Sequence, residues 1–135
     1  MDQSPEQVLA FLRTASEDQI REAVHDIGTP TALAVVFGGM AERFGLRPGR
    51  VPGLLVVELD DDGVLHRHGV QVSEGGASHV ADPAGAARGT LRTTLVRFLR
   101  IAAGAEDPKR LVVTGRLKLS GDVLWTVTTL GSLRR

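Results

Sequence analysis

Cysteine and tyrosine are absent from the 135-residue chain. Without cysteine there is no disulfide framework, no thiolate metal site and no cysteine nucleophile, and the chain suits a reducing compartment. Aromatic residues are few: Phe11, Phe37, Phe44, Phe98 and Trp125. A core must then be filled mainly by Leu, Val, Ile and Ala, which offer smooth apolar walls and few polar handles. No apolar run reaches the ~18 residues that a spanning helix needs. The start, Met1-Asp2-Gln3-Ser4, lacks the basic region and apolar stretch of a signal peptide. The expectation is a soluble, cytoplasmic protein. Lysine is scarce, two against fourteen arginines, a bias expected of a GC-rich bacterial genome.

Catalytic motifs are also missing. There is no phosphate loop, no dinucleotide glycine fingerprint, no G-x-S-x-G elbow and no H-E-x-x-H. His66 and His68 alternate on one side of a strand, but two ligands are too few for zinc, and His25 and His79 have no motif spacing. These histidines are expected to face solvent or to be satisfied by neighbours, with no metal or other cofactor. Asp60, Asp61 and Asp62 begin like a calcium loop yet lack the downstream glutamate, so they read as a solvated hairpin tip. A small α+β enzyme of the ketosteroid-isomerase type would want a buried tyrosine donor, and none exists. Nucleic acid is not expected as a partner, because the net charge is zero and no aromatic residues interleave with the basic ones.

What is present is one domain's worth of patterned sequence, long enough to bury about two-thirds of its extended surface. Ser4-Pro5-Glu6-Gln7 reads as a helix start, followed by Val8, Phe11 and Leu12 on one face. Ser16-Glu17-Asp18-Gln19 repeats the capping box ahead of Ile20, Ala23, Val24 and Ile27, with Gly28 as the stop. Thr29-Pro30 opens a third helix carrying Leu33, Val36, Phe37, Met40 and Phe44. Gly38 and Gly39 inside it would each cost about 1 kcal/mol relative to alanine, which predicts close packing against a neighbour.

Residues 46–53 form a connector, after which the period changes from 3.6 to 2. Strands are expected over Leu54–Leu59 and Val64–Val72, joined by the Asp-Gly turn at Asp62-Gly63, a strong hairpin signal. Short strands near Ala77–Ala81 and Arg88–Thr93 follow, and short turns between consecutive strands predict an antiparallel meander. Thr93 or Thr94 then caps a helix with Leu95, Phe98, Leu99 and Ala102 on one face and Arg97 and Arg100 opposite. Asp107-Pro108 starts a brief helical turn, and Thr114–Ser120 alternates as a strand. The segment Asp122–Leu133 is ambiguous: Val127-Thr128-Thr129 favours a strand by propensity, whereas Val123, Val127 and Leu130 have helical spacing.

Charge is split along the chain. Residues 1–87 hold 6 basic and 13 acidic side chains, and residues 88–135 hold 10 basic and 3 acidic. Such a split can mark a face for anionic partners, including a transient contact with an anionic membrane, or can hold two parts of one domain together.

The run Asp107-Pro108-Lys109-Arg110-Leu111-Val112-Val113-Thr114-Gly115-Arg116-Leu117-Lys118-Leu119-Ser120-Gly121-Asp122 resembles the signature of the sterol carrier protein type 2 family. There a D-P segment and a short apolar helix precede G-[KR]-[LV]-[KR]-[LIV]-x-G-[DN] and an apolar C-terminal helix. Thr90–Leu95 and Phe98–Gly104 are similar to that family's preceding strand and helix. The resemblance implies an α+β fold with a five-stranded, mainly antiparallel sheet covered on one face by helices. It also implies an apolar tunnel between the two layers and turns the ambiguous tail toward helix. Residues 1–135 are then a single domain, with residues 1–15 an extra N-terminal helix.

The function implied is a non-catalytic carrier for a hydrophobic small molecule: a sterol, fatty acid, isoprenoid or other lipid. Burial of such a ligand gains roughly 25 cal/mol per Å² without directional partners. The tunnel lining is assigned to Leu55, Val57, Phe98, Leu117, Leu119, Leu124, Trp125, Val127 and Leu130. Gly115 and Gly121 are expected to permit tight turns, and Asp122 to cap the last helix. Two other classes remain: an accessory interaction module that docks a partner through its basic C-terminal half, and a small enzyme built around a buried carboxylate.

Overall fold

The computed structural model describes residues 5–45, 51–73 and 76–131, and its first elements follow from the caps. Helix α1 spans Pro5–Thr14, α2 Glu17–Ile27 and α3 Thr29–Gly45. The Ser16 hydroxyl accepts the Gln19 N–H at 3.2 Å, and Gln19 Oε1 accepts the Ser16 N–H at 2.9 Å, which completes the capping box. Ile20 and Val24 face inward, and Gly28 ends α2 at φ +102°, a conformation that suits glycine. The Ser4 cap, the side chains of Val8 and Phe44, residues 46–50, Glu74-Gly75 and Leu133 lie outside the described residues.

Gly38 and Gly39 depart from expectation. A β-carbon at either position would meet nothing within 4 Å. The inward stripe of α3 is Leu33, Phe37, Met40 and Ala41, so the glycines sit off the packed face and no neighbour explains them.

Strands β1 (Gly53–Asp61), β2 (Val64–Ser73), β3 (Gly76–Val80), β4 (Gly89–Thr94) and β5 (Lys118–Gly121) form one sheet in the order β3-β2-β1-β4-β5. The first three make the expected meander, with Asp60 Oδ1 accepting the Gly63 N–H at 2.9 Å in the first turn. The fourth does not continue it. β4 crosses to the far edge of β1 and pairs with it in parallel, Leu55 opposite Gly89 and Asp60 opposite Thr94. Residues 81–88 make that crossing over the outer sheet face. Arg67 holds the loop by donating to the Pro83 carbonyl at 2.7 Å, and the Arg88 N–H joins the Leu54 carbonyl at 2.9 Å. β1 becomes the central strand, buried on both faces, which is why Leu54–Val57 is a continuous apolar run and not an alternation. The sheet is therefore mixed, with three antiparallel pairings and one parallel.

Thr94 caps α4 (Leu95–Ala102). Besides the expected face, Val96 and Ile101 are buried. Arg100 does not point to open water but donates to the Ala15 carbonyl at 2.7 Å, and Arg13 returns a bond to the Ala103 carbonyl at 2.8 Å, tying the N-terminal helices to α4. Asp107 caps α5 (Pro108–Val113). The strand expected over Thr114–Ser120 is shorter than its alternation suggests. The N–H groups of Arg116 and Leu117 both bond the Leu111 carbonyl, at 2.9 and 3.2 Å, and Gly115 adopts φ +73°. Those bonds wrap residues 114–117 around the end of α5, and pairing with β4 begins only at Lys118.

The tail forms α6 (Val123–Gly131). Its buried positions are Trp125, Thr126, Thr129 and Leu130, so the helical stripe differs from the Val123, Val127 and Leu130 spacing; Val123 is exposed. Leu55, Val57, Leu59, Val70, Val72 and Leu91 project from the sheet into one core shared with α2, α3, α4 and α6. Among the described residues no helix is long and apolar enough to cross a membrane.

Candidate functional site

The apolar layer between sheet and helices is closed at one end by α6, and glycines set how closely that helix sits. A β-carbon on Gly89 would run into the Thr126 hydroxyl, and one on Gly53 would stand 2.9 Å from the Trp125 ring and 2.6 Å from Arg88. The first turn of α6 is then locked to the sheet. Asp122 Oδ1 accepts the Trp125 N–H at 3.0 Å as an N-cap, and Arg88 reaches Asp122 Oδ2 from Nε and Nη2 at 3.2 and 3.1 Å. The Trp125 N–H, joined by the bonds and charge of Arg88, holds the Asp122 carboxyl below the usual carboxylate range, against a smaller opposing effect of burial. Arg88 also lies 5.4 Å over the indole, and the indole N–H donates to the Val51 carbonyl at 2.9 Å. Thr126 satisfies its buried hydroxyl on the Asp122 carbonyl at 2.8 Å, so the buried donor is not left unpaired.

Gly121 has φ +79°, and a β-carbon there would stand 2.7 Å from the Arg88 carbonyl oxygen. The turn at Gly121 thus brings Asp122 beside Arg88, whose carbonyl accepts the Asp122 N–H at 2.9 Å.

Of the nine residues assigned to a tunnel lining, Leu55, Val57, Phe98, Leu117, Trp125 and Leu130 are buried in the common core, and Leu119 packs against it half-buried. Val127 is half-buried. Leu124 projects outward, 78% exposed. None of the nine lines either of two surface depressions. One, of about 440 Å³, is bounded by Glu106, Asp107, Arg110 and Arg116 with Ala105, Leu111 and Thr114. The other, of about 120 Å³, is bounded by Arg21, Asp60, Asp61, Asp62 and Thr94 with Leu95 and Val96. Charged walls of this kind do not suit an apolar ligand.

A second polar feature inside the layer was not legible as a motif. His68 Nδ1 and His79 Nε2 lie 2.9 Å apart, and both rings stack on Phe37 with centroids 4.8 and 5.1 Å away; Phe37 in turn stacks on Phe98 at 5.0 Å. Burial, then the charge of His79 and of His66, lowers the His68 pKa below its ordinary value, and burial lowers that of His79. The signal lay in hairpin register: β3 places His79 opposite Val70, one diagonal step from His68. Among the described residues no group of three or more histidines and carboxylates is arranged to hold a metal.

Comparison with known proteins places this geometry. The family model "SCP-2 sterol transfer family" matches residues 50–126. No curated protein matches the chain significantly. Among solved structures, Sterol Carrier Protein 2 Like 2 from Aedes aegypti superposes with a TM-score of 0.60 at 15% identity, covering 76% of this chain and 97% of that one. The solution structure of the palmitated form of that mosquito protein gives 0.56 at 15% identity over 72% and 93%. The inverting sec-alkylsulfatase Pisa1 from Pseudomonas sp. gives 0.52 at 21% identity over 62% of this chain. The chain spans only 13% of that sulfatase. At these identities the structural likeness shows a shared fold.

Proposed function

The chain belongs to the SCP-2 sterol transfer family, and from that premise we propose that it is a non-catalytic carrier for a hydrophobic small molecule such as a fatty acid, a sterol or an isoprenoid. The cargo occupies the apolar layer between sheet and helices, against Leu55, Val57, Leu91, Phe98, Leu117 and Leu130. The observation that carries the reading is that the matched segment, residues 50–126, contains β1, β4, α4 and the turn at residues 114–117, which together supply five of those six side chains. The mosquito relative described as palmitated supports a fatty acyl cargo.

The six side chains pack in one core, so uptake displaces α6 and exchanges side-chain contacts for ligand contacts. The Arg88–Asp122 ion pair and the close seating of Trp125 and Thr126 on Gly53 and Gly89 hold the first turn of α6, so opening has to break those contacts. Burial of an acyl chain supplies roughly 0.8 kcal/mol per methylene to offset the opening. The carrier reading needs no catalytic group, and the setting proposed for it is the cytoplasm, which suits a chain without cysteine.

The test uses delipidated protein titrated with palmitate, with a sterol and with an isoprenoid alcohol, followed by Trp125 emission and native mass spectrometry. Saturable binding of one molecule per chain is expected for at least one of the three. Leu117→Asp places a charge in the 3%-exposed lining position and should abolish uptake. Absence of binding by all three ligands refutes the proposal.

A further inference from the structure

The helix-side face of the sheet has one polar end. Register partners share a face, so His68 on β2, Val57 on β1, Leu91 on β4 and Leu119 on β5 form one row beneath the helices. His79 on the edge strand β3, opposite the buried Val70, stands one diagonal step from His68. From β3 to β5 the sheet is about 19 Å wide at the usual strand spacing, and the row runs from the imidazole pair to side chains assigned to the cargo. The helices join the same two regions, because Phe37 stacks on both imidazoles and on Phe98. Val57 and Leu91 are fully buried, whereas His68 and His79 are half-buried. An apolar interior that ends in two polar rings has the polarity of a lipid with a headgroup.

The bond between His68 Nδ1 and His79 Nε2 uses one N–H and one lone pair. The remaining ring nitrogens, His68 Nε2 and His79 Nδ1, then offer one donor and one acceptor, and among the described residues neither has a hydrogen-bond partner. The buried hydroxyls of the layer are already used: Thr93 donates to the Arg116 carbonyl, Thr126 to that of Asp122, and Thr129 is engaged as well. No described carboxylate neutralises the pair. Besides His79, the charge that acts on His68 is that of His66, two residues along β2. Asp61, at the end of β1, holds His25 of α2 at 3.2 Å, and Glu42 of α3 is exposed. On α4, Arg97 faces Glu106 and Arg100 donates to the Ala15 carbonyl. With both pKa values below the ordinary 6.5, the pair is uncharged at neutral pH.

We propose that the His68–His79 pair receives the headgroup of the cargo and selects a lipid carboxylate, with one proton taken up as the carboxylate docks. The inference rests on the carrier reading above and adds which end of the cargo the protein recognises. A carboxylate entering from the β3 edge lies beside the two remaining ring nitrogens while its tail follows Val57 and Leu91. One proton from solvent binds the acceptor nitrogen, and the imidazolium so formed donates to the carboxylate, as does the N–H already present. No covalent bond of the lipid changes, and the occupied site stays neutral. A carboxylate alone in an apolar layer is too costly to bury, whereas charge-assisted hydrogen bonds offset that cost. An ester or an alcohol brings no charge to stabilise the imidazolium, so it binds through its tail and takes up no proton.

The full chain, delipidated, is titrated calorimetrically with laurate and with methyl laurate at pH 7 in two buffers of different ionisation enthalpy, whose difference in heat counts the protons bound. Close to one proton per laurate and none per methyl laurate is expected. Laurate affinity should fall as pH rises from 6.5 to 8.5, toward a limit of about tenfold per pH unit, while that of the ester stays level. His68→Gln with His79→Gln should abolish the proton uptake and reduce the preference for laurate over its ester roughly tenfold, as loss of a charged hydrogen bond implies. His79→Gln alone, a single change on the edge strand, should do the same where the double variant does not fold. Equal wild-type affinity for acid and ester overturns the proposal, and so does the absence of proton uptake. Uptake that persists in the variants also overturns it, because the lipid carboxyl then takes the proton itself. Binding of both lipids without proton uptake removes the headgroup assignment and leaves the carrier; binding of neither removes the carrier and the headgroup assignment with it.

Discussion

Gly89→Ala is the sharpest probe of how α6 is seated. In an ordinary strand this change should be neutral or favourable, because alanine loses less backbone entropy on folding than glycine, by roughly 0.5–1 kcal/mol. At position 89 the added methyl collides with the Thr126 hydroxyl and stands 3.3 Å from the Trp125 ring. Thr126 is fully buried and its hydroxyl is bonded to the Asp122 carbonyl, so relief requires the first turn of α6 to shift with its Asp122 cap. Overpacking of this kind costs about 1–3 kcal/mol, which at about 4 °C per kcal/mol for a domain of this size lowers Tm by roughly 4–12 °C. The assay is thermal unfolding followed by Trp125 emission and far-UV circular dichroism. Gly38→Ala is the control: nothing lies within 4 Å of its β-carbon, and alanine is the better helix former by about 1 kcal/mol. The same substitution should therefore act with opposite sign at the two positions. Thr126→Ala in the Gly89→Ala background should recover part of the loss. An unchanged or raised Tm for Gly89→Ala refutes the seating of α6 on β4.

The His68–His79 pair makes stability depend on pH. Both imidazoles have folded pKa values below the ordinary 6.5, so the unfolded chain binds more protons, and stability falls as pH drops from about 6.5 toward the depressed folded values. The limiting slope is about 1.4 kcal/mol per pH unit for each histidine. Urea unfolding between pH 5 and pH 8 should show the decline, and His68→Gln with His79→Gln should flatten it; an unaltered pH profile in that variant refutes the assignment. Ser16→Ala removes the hydroxyl half of the α2 capping box and should cost about 1 kcal/mol by chemical denaturation; no loss would show that the exposed cap contributes nothing.

The parts of this protein that could be read along the chain are those governed by neighbours a few residues away. Ser16 with Gln19, Asp107 with Pro108, Gly28 and the Asp-Gly hairpin each satisfy local hydrogen-bond or dihedral demands, and each appears where it was expected. The motif from Asp107 to Asp122 also pointed to the family through residues that make tight turns, above all Gly121, whose φ and close approach to Arg88 tolerate no side chain. Tertiary structure decided the rest. A strand carries no local mark of which edge it will join, so the parallel pairing of β4 with β1 followed from burying β1 on both faces. Val127, Thr128 and Thr129 favour a strand in isolation, yet the Asp122 cap and the bare backbone of Gly53 and Gly89 admit a helix there, and they choose Trp125, Thr126, Thr129 and Leu130 as its inner face. Burial against a distant surface outweighs the few tenths of a kcal/mol per residue by which propensities differ.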